Sequence, residues 1–183
     1  MKVNWRNRPR ADECPSSTKK YMTLLDAVLP LMEQFRKNLD DLEELLAGLP
    51  EEFCKTPYGP GKWSIKDTVQ HLSDDERIYV YRALRFARGD ETALPGFDQD
   101  LFASHANANE RSMTELMGEF RSVREATITF FQRLEESDAD RRGRADGSGF
   151  TVRGLAFHIA GHERHHVEIL REFIGNAAGM IGC

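Results

Sequence analysis

Apolar residues recur along this chain at alternating steps of three and four, the spacing of one face of an α-helix, in four separate stretches. In the first, Met32, Phe35, Leu39, Leu42, Leu46 and Leu49 form one stripe, predicting a helix from about Pro30 to Leu49. Pro30 fits its first turn, where a missing N–H costs nothing. Tyr21–Leu29 is expected to form a short preceding helix. After the turn-rich Pro57, Gly59, Pro60 and Gly61, a second helix should start at Ser64, with Asp67 at capping-box spacing. Its apolar face carries Ile65, Leu72, Tyr79, Ala83 and Phe86, and Gly89 is a suitable stop.

Residues 90–109 hold Pro95, Gly96 and many polar side chains, so mostly loop is expected; so long a connection is often functional. Ser112 and Glu115 form a second capping box, and Leu116, Phe120, Val123, Thr127, Phe130 and Leu134 carry a third helix to about Glu136. Polar, glycine-rich 141–149 is expected to be loop, and a fourth helix to run from about Thr151 to Phe173. No stretch alternates with period two, so no strand is expected. The expected fold is all-α: an antiparallel four-helix bundle over 21–175, with a long loop between the second and third helices. Residues 1–20, polar and carrying Pro9 and Pro15, are expected to be a loose arm, and 176–183 a tail.

A chain of 183 residues suits one core, and 40% hydrophobic with 30% charged residues argues against disorder. The net charge is -5, and the basic clusters at 6–10 and 141–144 are short and interrupted. A nucleic-acid partner therefore has little electrostatic support. No apolar run could span a bilayer and the first fifteen residues lack the apolar centre of a signal peptide, so no membrane association and a cytoplasmic location are expected. Cys14, Cys54 and Cys183 are scattered and lack thiolate-zinc spacing, which reads as free reduced thiols.

Candidate chemistry concentrates in HIAGHERHH, residues 158–166, which holds four of the six histidines. Advancing roughly 100° per residue from His158 at 0°, the apolar Leu155, Ile159, Leu170 and Phe173 centre near ~80°. His166 falls at about 80° and His162 at about 40°, both inward; His165 falls near -20°, off that face, and His158 stands at its margin. Residues at i and i+4 are neighbours on a helix, so the imidazoles of His162 and His166 can converge on one ion. A third ligand must come from elsewhere. His71 on the second helix, at the edge of its apolar face, is followed at i+4 by Asp75, a candidate acceptor for its ring N–H. His105 in the long loop is the alternative. Asp75, Glu76 and Glu163 lie close in sequence to these histidines and read as supporting or solvated carboxylates; Tyr79 and Arg82 could line a pocket.

The stretch GPGKWSIKDTVQHLSDDERIYVYRALRFARGD, residues 59–90, resembles the second-helix region of the DinB/YfiT-like superfamily. FTVRGLAFHIAGHERHHVEILREF, residues 150–173, resembles its fourth helix, and PGFDQD at 95–100 a loop of close members. The resemblance covers roughly residues 31–173. It implies a four-helix bundle holding a metal ion through one histidine of the second helix and two of the fourth, carried over here as His71, His162 and His166. It also implies a homodimer.

Three imidazoles leave a coordination position open, where a zinc-like ion lowers the pKa of water or holds a thiolate ionised. Nitrogen-only ligation suits zinc or nickel, and also iron or copper. Three functions are compatible: a metal-dependent hydrolase of a small molecule, a metal-dependent transferase using a low-molecular-weight thiol, and a stress-linked metal-binding protein without turnover. No residue is singled out as general acid or base.

Overall fold

The computed structural model describes the backbone of residues 1–181 and the side chains of residues 1–177. Its helices are α1 (Lys19–Met22), α2 (Leu31–Leu46), α3 (Glu51–Cys54), α4 (Ile65–Ala87), α5 (Gln99–His105), α6 (Met113–Gln132), α7 (Glu136–Ala139) and α8 (Val152–Ile181). Two strands, β1 (Arg142–Ala145) and β2 (Ser148–Thr151), pair antiparallel. The long helices α2, α4, α6 and α8 build the bundle. Both capping boxes form: Ser64 Oγ accepts from Asp67 N–H at 3.0 Å, and Ser112 Oγ from Glu115 N–H at 3.2 Å. α2 ends three residues before Leu49, where Gly48 takes φ +73°, a left-handed conformation that a helix cannot continue through.

Helix direction departs from a simple antiparallel bundle. Gln70 and Arg77 of α4 bond to Arg111 and Glu119 on and before α6, so the two helices run the same way. Asn38 and Asp41 of α2 bond to Ala160 and Arg164 of α8, a second parallel pair. Phe35 and Glu43 of α2 meet Arg124 and Arg121 of α6 in the reverse order. The bundle is thus two parallel pairs running opposite to one another. Parallel neighbours need a crossover, and a 20-residue helix is about 30 Å long, so the connection from α4 to α6 returns along the bundle. That explains its length. It is not plain loop: it carries α5, capped by Asp98, and a 3-10 turn at Ala108–Glu110.

The hairpin is a second departure. Its turn is Asp146-Gly147, with φ +51° and +70°, the positive angles of a tight two-residue hairpin loop. Leu94 of the crossover bonds to Arg144 O and accepts from Asp146 N–H, tying the connection to the hairpin.

Residues 1–20 are not loose. Trp5 is buried edge-on against Phe131 at 5.5 Å, Leu31 N–H donates to Trp5 O, and Thr151 N–H to Glu13 O at 2.8 Å. The expected short helix lies earlier than Tyr21–Leu29, as a 3-10 turn at Ser16–Thr18 continued by α1. At the other end α8 runs on through the expected tail to Ile181. Cys14 and Cys54 are buried and unpaired; Cys183 lies outside the described residues.

Two apolar clusters fill the bundle. One holds Phe35, Phe86, Phe131 and Leu155; the other Leu42, Leu72, Phe120 and Leu170. Between them lies a polar layer contributed by all four long helices: Asn38, His71, Asp75, Glu76, Arg124, His162, Glu163 and His166, every one buried. Unpaired polar groups there would cost several kcal/mol each by rough reckoning, so where their partners lie decides what the layer is for.

Candidate metal centre

α4 and α8 run in opposite directions past one another and bring His71 against His162 and His166. Nε2 of His162 stands 3.4 Å from that of His71 and 3.1 Å from that of His166, and the three donor atoms lie within 4.8 Å of one another. The three residues are only 5, 8 and 9% exposed. The inward placement expected for His162 and His166 is present, and His71, at the edge of its helix's apolar face, is brought to them by the packing of α4 on α8.

Three imidazole nitrogens cannot satisfy one another, since only a protonated nitrogen donates and only a bare one accepts. Burial pushes the His71 pKa down to about 4, with His162 adding to the effect and Asp75 opposing it. Burial and the surrounding imidazoles hold His166 well below the usual range. These rings are neutral at pH 7. Asp75 Oδ2 lies 3.1 Å from His162 Nδ1, so the Nδ1–H of that ring donates to the carboxylate while its Nε2 faces the other two rings. The Asp75 carboxyl, although burial works against its charge, is held below its ordinary pKa chiefly by its partner His162. The i+4 expectation for Asp75 is therefore corrected: it serves His162 on the facing helix rather than His71 on its own.

The donor set is of a kind that fits a metal ion. Nitrogen ligands about 2.05 Å from a tetrahedral ion would stand about 3.3 Å apart, close to the 3.4 and 3.1 Å that separate His162 from His71 and His166. Trp63, just before α4, lies 4.5 Å from the His71 ring and 6.2 Å from that of His166, closing one side of the cluster.

Beneath it, the fully buried Arg124 of α6 donates to Glu76 of α4 at 2.7 Å, to Glu163 of α8 at 2.8 Å and to Phe35 O of α2 at 2.7 Å. Asn38 of α2 donates to Glu163 as well, at 3.1 Å. Burial raises the Glu163 pKa against the pull of Arg124. These contacts join all four long helices within one residue of His162, and so fix the register in which the histidines face one another. Glu76 and Glu163 are thus ion-paired inside the bundle, not solvated, and neither points at the histidine cluster through a hydrogen bond.

The other histidines lie apart. His165 is half-buried beside Tyr21 at 5.3 Å, off the cluster. His105, the alternative ligand, sits exposed on α5 with Nδ1 at 2.9 Å from Leu101 O, and is not one of the three clustered donors. His158 stacks on Tyr79 at 4.2 Å and on His162 at 5.7 Å. Sequence reasoning missed Trp63, Asn38 and Arg124. For Arg124 a signal existed: it stands four residues after Phe120, on the apolar face of its helix, where a charge must be paired.

Fold and donor set together define a helical bundle with a buried three-imidazole cluster of metal-ligand type. The chain belongs to the DinB superfamily, whose family model matches residues 34–170. It is 27% identical over 153 residues to "Putative metal-dependent hydrolase OB0413" of Oceanobacillus iheyensis, covering 81% of this chain and 86% of that one. It is 26% identical over 102 residues to "Putative metal-dependent hydrolase" of Geobacillus thermodenitrificans, covering 56% and 57%. Its fold matches that of YfiT from Bacillus subtilis, described as "a probable metal-dependent hydrolase with an unusual four-helix bundle topology", with TM-score 0.70, 15% identity and 94% of each chain covered. Among the described residues, no helix is long and apolar enough to cross a membrane.

Proposed function

We propose that this protein is a metal-dependent hydrolase of a small molecule, using one divalent transition metal ion, zinc or nickel, held by His71, His162 and His166. The observation that carries this reading is the convergence of three buried Nε2 atoms at ligand spacing, the central one oriented by Asp75. Two curated relatives bearing the name "Putative metal-dependent hydrolase" support it. His71, His162 and His166 would hold the ion, and the ion would supply Lewis-acid activation of water. Asp75 holds the His162 tautomer, Trp63 shields the His71 and His166 rings from water, and the Arg124 network holds α4 and α8 in register.

The test is elemental analysis of purified protein, then an ester, amide and thiol-conjugation substrate panel run on chelator-treated and zinc- or nickel-reloaded samples. About one ion per chain and metal-dependent ester or amide cleavage are expected. Metal-dependent thiol conjugation alone would replace hydrolase by transferase. Bound metal without any turnover would leave a binding protein, and failure to take up either ion would overturn the whole reading.

A further inference from the structure

A cavity of about 250 Å³ lies between the N-terminal arm, α4, the hairpin and α8, lined among others by Lys20, Tyr21, Tyr79, Arg82, Asp146 and His158. It adjoins the histidine cluster: His158 stacks on His162, and the Tyr21 ring stands edge-on to both at 5.3 and 5.6 Å. Nδ1 of His158 is buried without a hydrogen-bond partner among the described residues.

Arg82 is the unusual member. Three arginines are buried among the described residues: Arg82, Arg124 and Arg153. Arg124 pairs with Glu76 and Glu163, and Arg153 with Glu136 and Asp140. Arg82, 3% exposed, donates to Pro95 O at 3.0 Å and stacks on Tyr79 and Phe97, with no carboxylate paired to it among the described residues. A buried guanidinium without an anion is costly, and its planar fork matches a carboxylate in two parallel hydrogen bonds. Lys20 adds a second positive charge. The one acid on the lining, Asp146, is exposed on the hairpin turn with its carboxylate against Gly96.

We propose that this cavity is the subsite for a small carboxylate-bearing molecule, its carboxylate seated on Arg82, its apolar part between Tyr21 and Tyr79, and Lys20 at the rim. Taking that molecule as the substrate rests on the hydrolase reading above; the anion selectivity does not. The volume suits a ligand below drug size, and the aromatic walls favour a carboxylate on an apolar body over a bare phosphate.

The test compares benzoate, its neutral isostere benzamide and inorganic phosphate, titrated calorimetrically into zinc-loaded protein with metal content measured in parallel. Benzoate should bind at least about tenfold more tightly than benzamide, as a buried charge-assisted pair implies, and more tightly than phosphate. Arg82→Gln should abolish the preference, Lys20→Gln should weaken benzoate a few-fold as a partly screened charge, and the remote Arg121→Gln should change nothing. Nuclear Overhauser contacts from the benzoate ring to the rings of Tyr21 and Tyr79, measured on the unmodified protein, are expected and do not depend on the variants folding. Equal affinity for benzoate and benzamide, tighter binding of phosphate, or absence of those contacts would each overturn the proposal. Benzoate binding insensitive to Arg82 in metal-loaded protein refutes the subsite alone, whereas Arg82-dependent binding in protein that takes up no metal refutes only the hydrolase reading.

Discussion

Replacing Asp75 by Asn removes one charge from the polar layer while keeping the side chain's size, so it probes the electrostatics of the histidine cluster without opening a cavity. In the native protein the buried carboxylate accepts from His162 Nδ1 across 3.1 Å. The Asn carbonyl can still accept that hydrogen, so the ring should keep its place. What is lost is the assistance of the charge: a hydrogen bond to an ionised acceptor is worth about 1 kcal/mol more than a neutral one, and the ring becomes a poorer donor to a cation. Loss of such an outer partner weakens metal binding by about 10–100-fold, and the conservative replacement should fall at the lower end. The assay is competition for zinc against a chromophoric chelator at pH 7.5, with circular dichroism to verify the fold. A dissociation constant raised about tenfold, with helix content unchanged, is expected from that range. An unchanged constant would show that Asp75 does not tune His162, and that the cluster's order has another source.

Arg124→Met should cost about 3–5 kcal/mol of stability in urea denaturation, because it strands two buried carboxylates; a loss comparable to that of an exposed arginine would refute their mutual dependence. His166→Ala should abolish metal retention in elemental analysis while His165→Ala keeps it, and the opposite pattern would mean that α8 presents a different face. In metal-free protein His71 protonates only near pH 4 and His158 near 3, against 6.5 for an ordinary histidine. Below 6.5 the unfolded chain therefore holds more protons, and each of these groups should lower stability by about 1.4 kcal/mol per pH unit until its own folded-state pKa is reached. Thermal melts of chelated protein between pH 7 and 4 should fall accordingly; a flat profile would contradict the burial of neutral imidazoles.

The long helices were legible because their stripes are long and their starts carry capping chemistry: both serine boxes bond as their spacing requires. The inward turn of His162 and His166 was legible for the same reason, since angle around one helix depends on that helix alone. Whatever depends on two helices was not. Periodicity carries no direction, so the parallel pairing of α4 with α6 was invisible, although the long crossover was its trace. Asp75 was matched to His71 by spacing, but the facing helix claimed it. The hairpin's local signal, Asp146-Gly147, is faint because its flanks are short and glycine-rich. The polarity of the arm points to a loose segment, but one tryptophan and a handful of backbone hydrogen bonds outweigh it.

That arm rests on α8 only because two glycines let it. A methyl group at Gly154 would come within 2.3 Å of Glu13 O, and one at Gly161 within 2.6 Å of Tyr21 O. The two glycines stand seven residues apart on one face and form a shallow track for the passing backbone. The arm lies outside the stretch matched by the family model, yet it delivers Lys20 and Tyr21 to the cavity. Tyr79, Arg82 and His158 come to the same cavity from within that stretch, so its wall is built jointly by two lengths of chain. With Trp5 of the arm seated in the core, a change in how the strap lies along the glycine track would reshape the cavity and loosen the packing together.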